Sequence, residues 1–389
     1  MAAVAALDGV RVLDFASVGP AARASRMLSD YGADVVKLGP MPRDGGVQIV
    51  PPFYAYSGHR LMQRALLDLK ADEGRDAFLD LARDADVVLE SFRPGVVDRL
   101  GIGYDAVRAV NPRIVYCSTS GFGQSGPRRT WAGHDVNYLA LSGYLDCSSP
   151  RGDGRPPLPG ATVADIAAGG MQATMAIMAG LLRRERTGEG EHLDVSIADG
   201  AFGLMSLYVD EYLATGTEPG PGHYILTGRY ACYDTYTCAD GGHLAIGAIE
   251  PAFWRNLCRE LGLERYVDAQ MDDQRQDEIR QAVAAVLATR TRDEWAAQLG
   301  PADCCVSPVL TVAEAVVDEQ YVARRMVVDA DHVTEGRFRQ TGPVWAGTTA
   351  PDGPYAVREG TVTDTAALLA AVGYDDDRIT HLIDAGVVA

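Results

Sequence analysis

Apolar and polar positions along the chain fall into short runs of two alternating kinds. Residues 10–15 (VRVLDF) form a compact β-rich run, a Gly19-Pro20 turn follows, residues 21–31 have helical composition, and residues 33–38 (ADVVKL) are strand-like again. That order predicts a βαβ unit. The alternation continues with a helix over about 72–84, a strand at 87–90, a helix around 104–110 and a strand at 114–118. Continuously apolar strands belong to a parallel sheet covered on both faces. Ligands of such sheets bind beyond the carboxyl ends of the strands, which singles out the loops 92–96 (FRPGV) and 120–127 (SGFGQSGP). No GxGxxG follows the first strand and GFGQSG does not clearly open a helix, so a dinucleotide site is not supported. The glycines of that loop serve close backbone passage or positive φ.

Beyond a Gly/Pro-rich loop at 148–160 comes a long run rich in Ala, Met and Leu, with Asp165 before it and Arg183, Arg184, Arg186 and Gly188 at its end. An acidic start and a basic last turn predict a helix, and apolar residues almost all round predict that it is buried. A strand at 191–197 and a helix at 198–213 follow, then TGTEPGPG at 215–222, a linker by composition. The next unit opens with β-like runs at 230–237 and 243–249 around an Asp-Gly-Gly turn, a hairpin signature. Glu250-Pro251 then leads into a helix near 252, with further helices at 277–288 and 292–299 and a β-like run at 305–310. The region after Gly336 reads as a strand-poor return ending in a helical tail. The expected organisation is α/β: a large open parallel-sheet, Rossmann-like domain over 1–213, a linker over 214–229, a smaller α+β domain over 230–325 and a C-terminal return over 326–389.

With 389 residues, 47% hydrophobic and 23% charged, the chain is long enough for two domains and has the balance of a soluble globular protein. A formal net charge of -18 argues against nucleic acid and anionic membrane as partners and requires local arginines for any anionic ligand. Seven cysteines without a CxxC pair suggest neither a disulfide framework nor a zinc site. No metal-ligand cluster is found. The first residues carry no basic stretch followed by an apolar core, and no apolar run approaches bilayer-spanning length, from which a cytoplasmic location is expected.

The stretch WAGHDVNYLALSG at 131–143 places His134 and Asp135 at the mouth of an apolar run. Such a histidine is a candidate general base, or simply a residue at a helix start capped by Asp135 or Asn137. Asp165 is open in the same way between helix cap and ligand-facing carboxylate, and Glu250 between dipole partner and functional acid.

Together with LDLK (67–70), FRPGVVDRLGIGYD (92–105), NPRIVYCSTSGFGQSGP (111–127), GHDVNYLALSG (133–143), ADIAAGG (164–170), RTGEG (186–190), ADGGHLAIGAIEPAFW (239–254) and SPVLTVAEA (307–315), these residues make the chain resemble the class III CoA-transferase (CaiB/BaiF) superfamily, and within it the α-methylacyl-CoA racemases. The resemblance covers nearly the whole chain. It implies an interlocked homodimer that binds acyl-CoA between the large domain of one chain and the small domain of the other, with no cofactor besides the coenzyme A of the substrate. It also implies that His134, supported by Glu250, and Asp165 are the two acid/base groups, whereas in the transferases the residue matching Asp165 is a nucleophile. CoA contacts are implied at Arg93, at Leu67, Asp68, Leu69 and Lys70, and at Gly133, Asp135, Asn137 and Tyr138. The chain departs from the pattern at Leu38-Gly39-Pro40, at LMQR (61–64) and at Arg23 and Arg26, which leaves Arg43, Arg60 and Arg64 as candidate substitutes for the usual nucleotide-binding residues.

Inverting a carbon α to a thioester needs one group to remove a proton and another to deliver one to the opposite face, which His134 and Asp165 can do, with enolate-stabilising donors from a helix N-terminus or glycine-loop amide near Asp165. The alternatives are a CoA-transferase using Asp165 as nucleophile and a CoA-binding protein whose acids are only helix caps.

Overall fold

The structure is a computed structural model describing residues 5–16, 18–41, 60, 62–149, 152–348, 350–358 and 362–389. The chain forms two compact units, one of Met1–Ser142, Pro159–Leu204 and Glu319–Ala389, the other of Gly143–Leu158 and Met205–Asp318.

The first unit opens with the expected β1 (Arg11–Asp14), α1 (Gly19–Asp30) and β2 (Asp34–Gly39). β3 (Gln63–Leu66), α2 (Asp72–Ala82), β4 (Val87–Glu90), α3 (Tyr104–Val110), β5 (Val115–Ser120) and α4 (Asp135–Leu141) follow. A π-helical segment, Ala164–Met171, then runs straight into α5 (Gln172–Thr187), β6 (Glu191–Ser196) and α6 (Ile197–Leu204). Among the described residues these strands form a six-stranded sheet in the order β3-β2-β1-β4-β5-β6, parallel throughout. The order reverses between β1 and β4, which makes their carboxyl ends the place where a doubly wound sheet opens a crevice. Leu13, Val36, Val88, Phe78 and Tyr116 pack on one face; Val12, Val35, Leu89 and Ile177 pack on the other. β3 escaped the sequence reading because it is an edge strand whose first two residues, Gln63 and Arg64, are polar and only half-buried.

Two expectations for the long helix need correction. It begins at Ala164, so that Asp165 lies within its first turn and is not the N-cap, which is Val163. It is also not buried all round: Met175 and Leu182 are 61% and 56% exposed, while Ala173, Ile177 and Leu181 face the sheet. The run Ala164–Thr187 is 24 residues and, by length and composition alone, could cross a membrane, contrary to the expectation that no run approaches that length; its packed inner face makes it a core helix of this unit.

In the second unit come α7 (Ser206–Thr215), β7 (Tyr233–Thr237), β8 (His243–Gly247), α8 (Pro251–Leu261), α9 (Gln276–Leu287), α10 (Arg292–Leu299) and β9 (Val306–Pro308). β7 and β8 form the expected antiparallel hairpin and β9 extends it. The helices bury Trp254, Leu257, Ile279, Val283 and Trp295 against it, an α+β arrangement. The expected helix over 198–213 is broken at Met205, and the division between units falls there. The linker-like 215–222 therefore lies inside the second unit, as does Gly143–Leu158, which the sequence reading assigned to the large domain.

The first unit resumes with β10 (Val327–His332), β11 (Gly336–Thr341) and β12 (Tyr355–Val357), a three-stranded sheet where a strand-poor return was expected. Finally, α11 (Thr365–Ala371) and α12 (Asp376–Asp384) place Leu368, Leu369, Ile379 and Leu382 in the main core.

Candidate active site

The crevice at the strand ends is a cavity of about 410 Å³. Its wall is made by Pro20 beyond β1, residues 91–94 beyond β4, residues 119–121 at the end of β5, and Arg129, Trp131, Gly133, His134, Asn137 and Tyr138. Both loops singled out from the sequence contribute. Arg93, Gly133, His134, Asn137 and Tyr138 are thus brought together on one wall.

Tyr138 is the pillar of this wall. Buried in α4, it donates its hydroxyl hydrogen to the Gly133 carbonyl (2.7 Å) and packs edge-on against Phe122 at 5.3 Å. Burial pushes that hydroxyl up to about 12. A Cβ at Gly121 would lie 2.4 Å from the Tyr138 hydroxyl oxygen, and one at Gly133 would lie 2.8 Å from the ring, so glycine is required where the two loops wrap it. His134 is the N-cap of α4, in extended conformation, and its N–H donates to Asn137 Oδ1 (3.0 Å). Asn137 therefore caps the turn, one of the two capping roles considered, while His134 is exposed and lines the cavity.

Asp135 does something else. Its Oδ1 accepts the backbone N–H of Asp165 at 2.9 Å, tying the start of α4 to the π-helical turn. That turn sits close because Gly169 and Gly170 meet α1 directly: a Cβ at Gly169 would come within 2.5 Å of the Pro20 side chain, and one at Gly170 within 3.0 Å of Arg23 Cβ. These glycines let the helical turn pack closely against α1. π-Helical turns recur at functional sites because they re-aim side chains within a helix. The half-buried Asp165 carboxyl is held above the usual carboxylate range, first by burial and then by the Asp135 charge, with Arg23 and His134 pulling it back. The Asp165 amide, spent on Asp135, is not available to an enolate oxygen.

Other expected contacts lie elsewhere. Leu67 is buried in the core, bridged to Val388 at the far edge of the sheet. Asp68 accepts the Lys70 N–H and donates its own amide hydrogen to the Val387 carbonyl, so that LDLK is a turn feeding α2, away from the cavity wall, and Leu69 packs beside the core. Arg60 is fully buried, paired with Asp30 at 2.7 Å and stacked 4.0 Å above the Tyr355 ring, so it cannot substitute for a nucleotide-binding arginine. Arg64 belongs to β3 at the same far edge, and Arg43 lies outside the described residues. Glu250 belongs to the second unit, where it is the exposed N-cap of α8.

The sequence reading missed Arg129 and Ser120. Arg129 joins Arg93 in the wall, and no carboxylate is among the described lining residues. The signal was the arginine pair following SGFGQSGP. Ser120 is buried in the wall and its hydroxyl has no partner among the described residues, a donor held for whatever fills the space. The cavity is therefore locally basic in a chain of net charge -18.

The model of CoA-transferase family III matches residues 7–357. Alpha-methylacyl-CoA racemase of Mus musculus is 34% identical over 381 residues, covering 97% of this chain and 96% of that one, and the Homo sapiens racemase is 36% identical over 80% of this chain and 79% of its own. Acetyl-CoA:oxalate CoA-transferase of Acetobacter aceti is 30% identical over 84% of this chain and 86% of its own. A solved CAIB/BAIF family protein from Brucella suis superposes with a TM-score of 0.75 at 28% identity, covering 94% of this chain and 99% of that one. With the doubly wound sheet, the GHDVNY turn on the cavity and Asp165 docked behind it, the chain belongs to CoA-transferase family III.

Proposed function

We propose that the chain inverts the α-carbon of 2-methylacyl-CoA thioesters by two-base 1,1-proton transfer through an enolate. The observation that carries this reading is that the Asp135–Asp165 amide bond joins the two helical segments that His134 and Asp165 open, with His134 on the wall of a basic cavity. One group removes the α-proton and the other returns a proton to the opposite face, so one C–H bond breaks and one forms, with roles exchanged in the reverse direction. Burial and Asp135 favour the protonated form of Asp165, as an acid requires. Arg93 and Arg129 meet the CoA phosphates as charge-assisted donors. Glu250, from the second unit of a partner chain, supports the His134 imidazolium. A homodimer is in keeping with the apolar side chains left exposed on the helices of the first unit, Met175, Leu182 and Phe202 among them.

A second reading is a CoA-transferase, favoured by relatives such as the oxalate enzyme. There the Asp165 carboxylate attacks the thioester carbonyl, forming a mixed anhydride and releasing CoA thiolate. Kinetics and trapping separate the two. Racemisation predicts that Asp165→Asn and His134→Ala each lower turnover by a factor on the order of 100 or more, with wild-type α-proton exchange in deuterated water. Hydroxylamine quench with stoichiometric Asp165 hydroxamate, and a His134→Ala variant that keeps most activity, would overturn it.

A further inference from the structure

β4 reads VVLE: three apolar core residues and then a carboxylate, Glu90, that is only 2% exposed. Burial pushes this carboxyl up to about 7; hydrogen bonds from Ser118 and the Phe92 amide pull the other way, and Asp98 adds to the rise. A buried acid in the middle of a parallel sheet is costly, which directs attention to what it holds. Its Oε2 accepts the Phe92 N–H at 2.7 Å. Ser118, its register partner on β5, hydrogen-bonds the carboxyl and lies 2.9 Å from His192 Nε2 on β6. His192 stacks on Tyr104 at 5.1 Å. The carboxyl is thus braced across three neighbouring strands.

What it braces is the turn beyond β4. Val96 N–H donates to the Arg93 carbonyl (3.1 Å), with Pro94 and Gly95 between them and Gly95 at φ 81° and ψ 0°. That is a type II turn, with proline pre-set at its second position and glycine at the third, where φ must be positive. Its exit is closed by its own hydrogen bond, and its entry is held by Glu90. Residues 91–94 line the cavity.

From this arrangement we infer that Glu90 is a positioning residue for ligand binding: through the Phe92 amide it fixes the turn that presents Arg93 to the cavity, and Ser118 and His192 hold its carboxyl in place. The inference rests on the reading of the cavity as the acyl-CoA site. It is tested with the full-length protein by KM and kcat for a 2-methylacyl-CoA in the α-proton exchange assay, alongside calorimetric titration with free CoA. Glu90→Leu leaves the Phe92 amide without an acceptor and should raise KM about tenfold with kcat within about twofold. Glu90→Gln, whose amide oxygen still accepts from Phe92, should recover most of that loss. Because both residues act through one turn, Glu90→Leu in an Arg93→Ala background should add less than about twofold to KM. Should Glu90→Leu not fold, Ser118→Ala, which removes the brace and leaves the Phe92 bond, should raise KM about threefold and add little to Arg93→Ala. A KM within twofold of wild type in these variants, or single effects that multiply in the double variant, overturns the inference. Arg93→Ala with unchanged KM and CoA affinity instead overturns the reading of the cavity, so the two failures are distinct.

Discussion

Replacing Glu90 by glutamine should make the protein more stable as pH rises, and the size of the effect follows from its environment. The carboxyl is displaced by burial from 4.5 to about 7 in the folded chain, with Asp98 as the charged neighbour that adds to the shift and Tyr116, Cys117 and His192 as the titratable groups around it. Because the folded value lies above the unfolded one, folding favours the protonated form. Stability from this group is complete below pH 4.5 and is lost progressively as pH rises to about 7. A displacement from 4.5 to about 7 corresponds to about 3 kcal/mol at 25 °C. Glutamine has the same shape, still accepts from Phe92 and does not titrate. The stability difference between Glu90→Gln and wild type, from urea unfolding at closely spaced pH values, should therefore rise by about 3 kcal/mol in favour of the variant between pH 4.5 and 8. A difference curve that is flat with pH would refute the assignment of a buried, costly carboxyl at this position.

Two further predictions concern assembly and the acid. Sedimentation velocity at micromolar concentration should give a dimer, and Met175→Asp, which puts a charge on the exposed face of α5, should shift it towards monomer; a stable folded wild-type monomer would count against the homodimer. Asp135→Asn keeps an oxygen for the Asp165 amide and removes the charge that helps raise the Asp165 carboxyl, so in the direction in which Asp165 takes the α-proton the acidic limb of the kcat/KM profile should move to lower pH; a limb that stays where it is in wild type would detach it from Asp165.

Much of the first unit was legible in the sequence because its strands are continuously apolar and its breaks carry Gly and Pro. β4 and α3 fall at the predicted residues. β3 was illegible for the opposite reason: an edge strand needs no apolar pair at its start, and QRAL offers only two buried residues. The strands of the C-terminal sheet were hidden because β10 (VVDADH) and β11 (GRFRQT) are half polar, facing solvent on one side. At the site, residue type and family motif located the turn with His134 and the arginine turn at 93. They could not reveal that Asp135 is engaged with a backbone amide or that LDLK sits at the far edge of the sheet, since both depend on strand order and close helix approach. Gly169 and Gly170 illustrate the limit: nothing in the motif ADIAAGG shows that they let the π-helical turn meet Pro20 and Arg23.

The state of Asp165 bears directly on which of the two chemistries it serves. A carboxylate nucleophile must be ionised to attack a thioester, and is helped by neighbouring cations that lower its pKa. A proton donor to an enolate must instead carry its proton for part of each cycle near neutral pH, and is helped by burial and a like charge. Around Asp165 both influences are present: Arg23 and His134 draw its pKa down, while burial and Asp135 draw it up and prevail. Asp135 cannot turn away to relieve the repulsion, because its Oδ1 holds the Asp165 amide. The same bond that docks the two helical starts thus fixes a negative charge beside the acid. That constraint is at odds with an aspartyl nucleophile, which works best as an anion, and is in keeping with the proposed role of Asp165 as an acid.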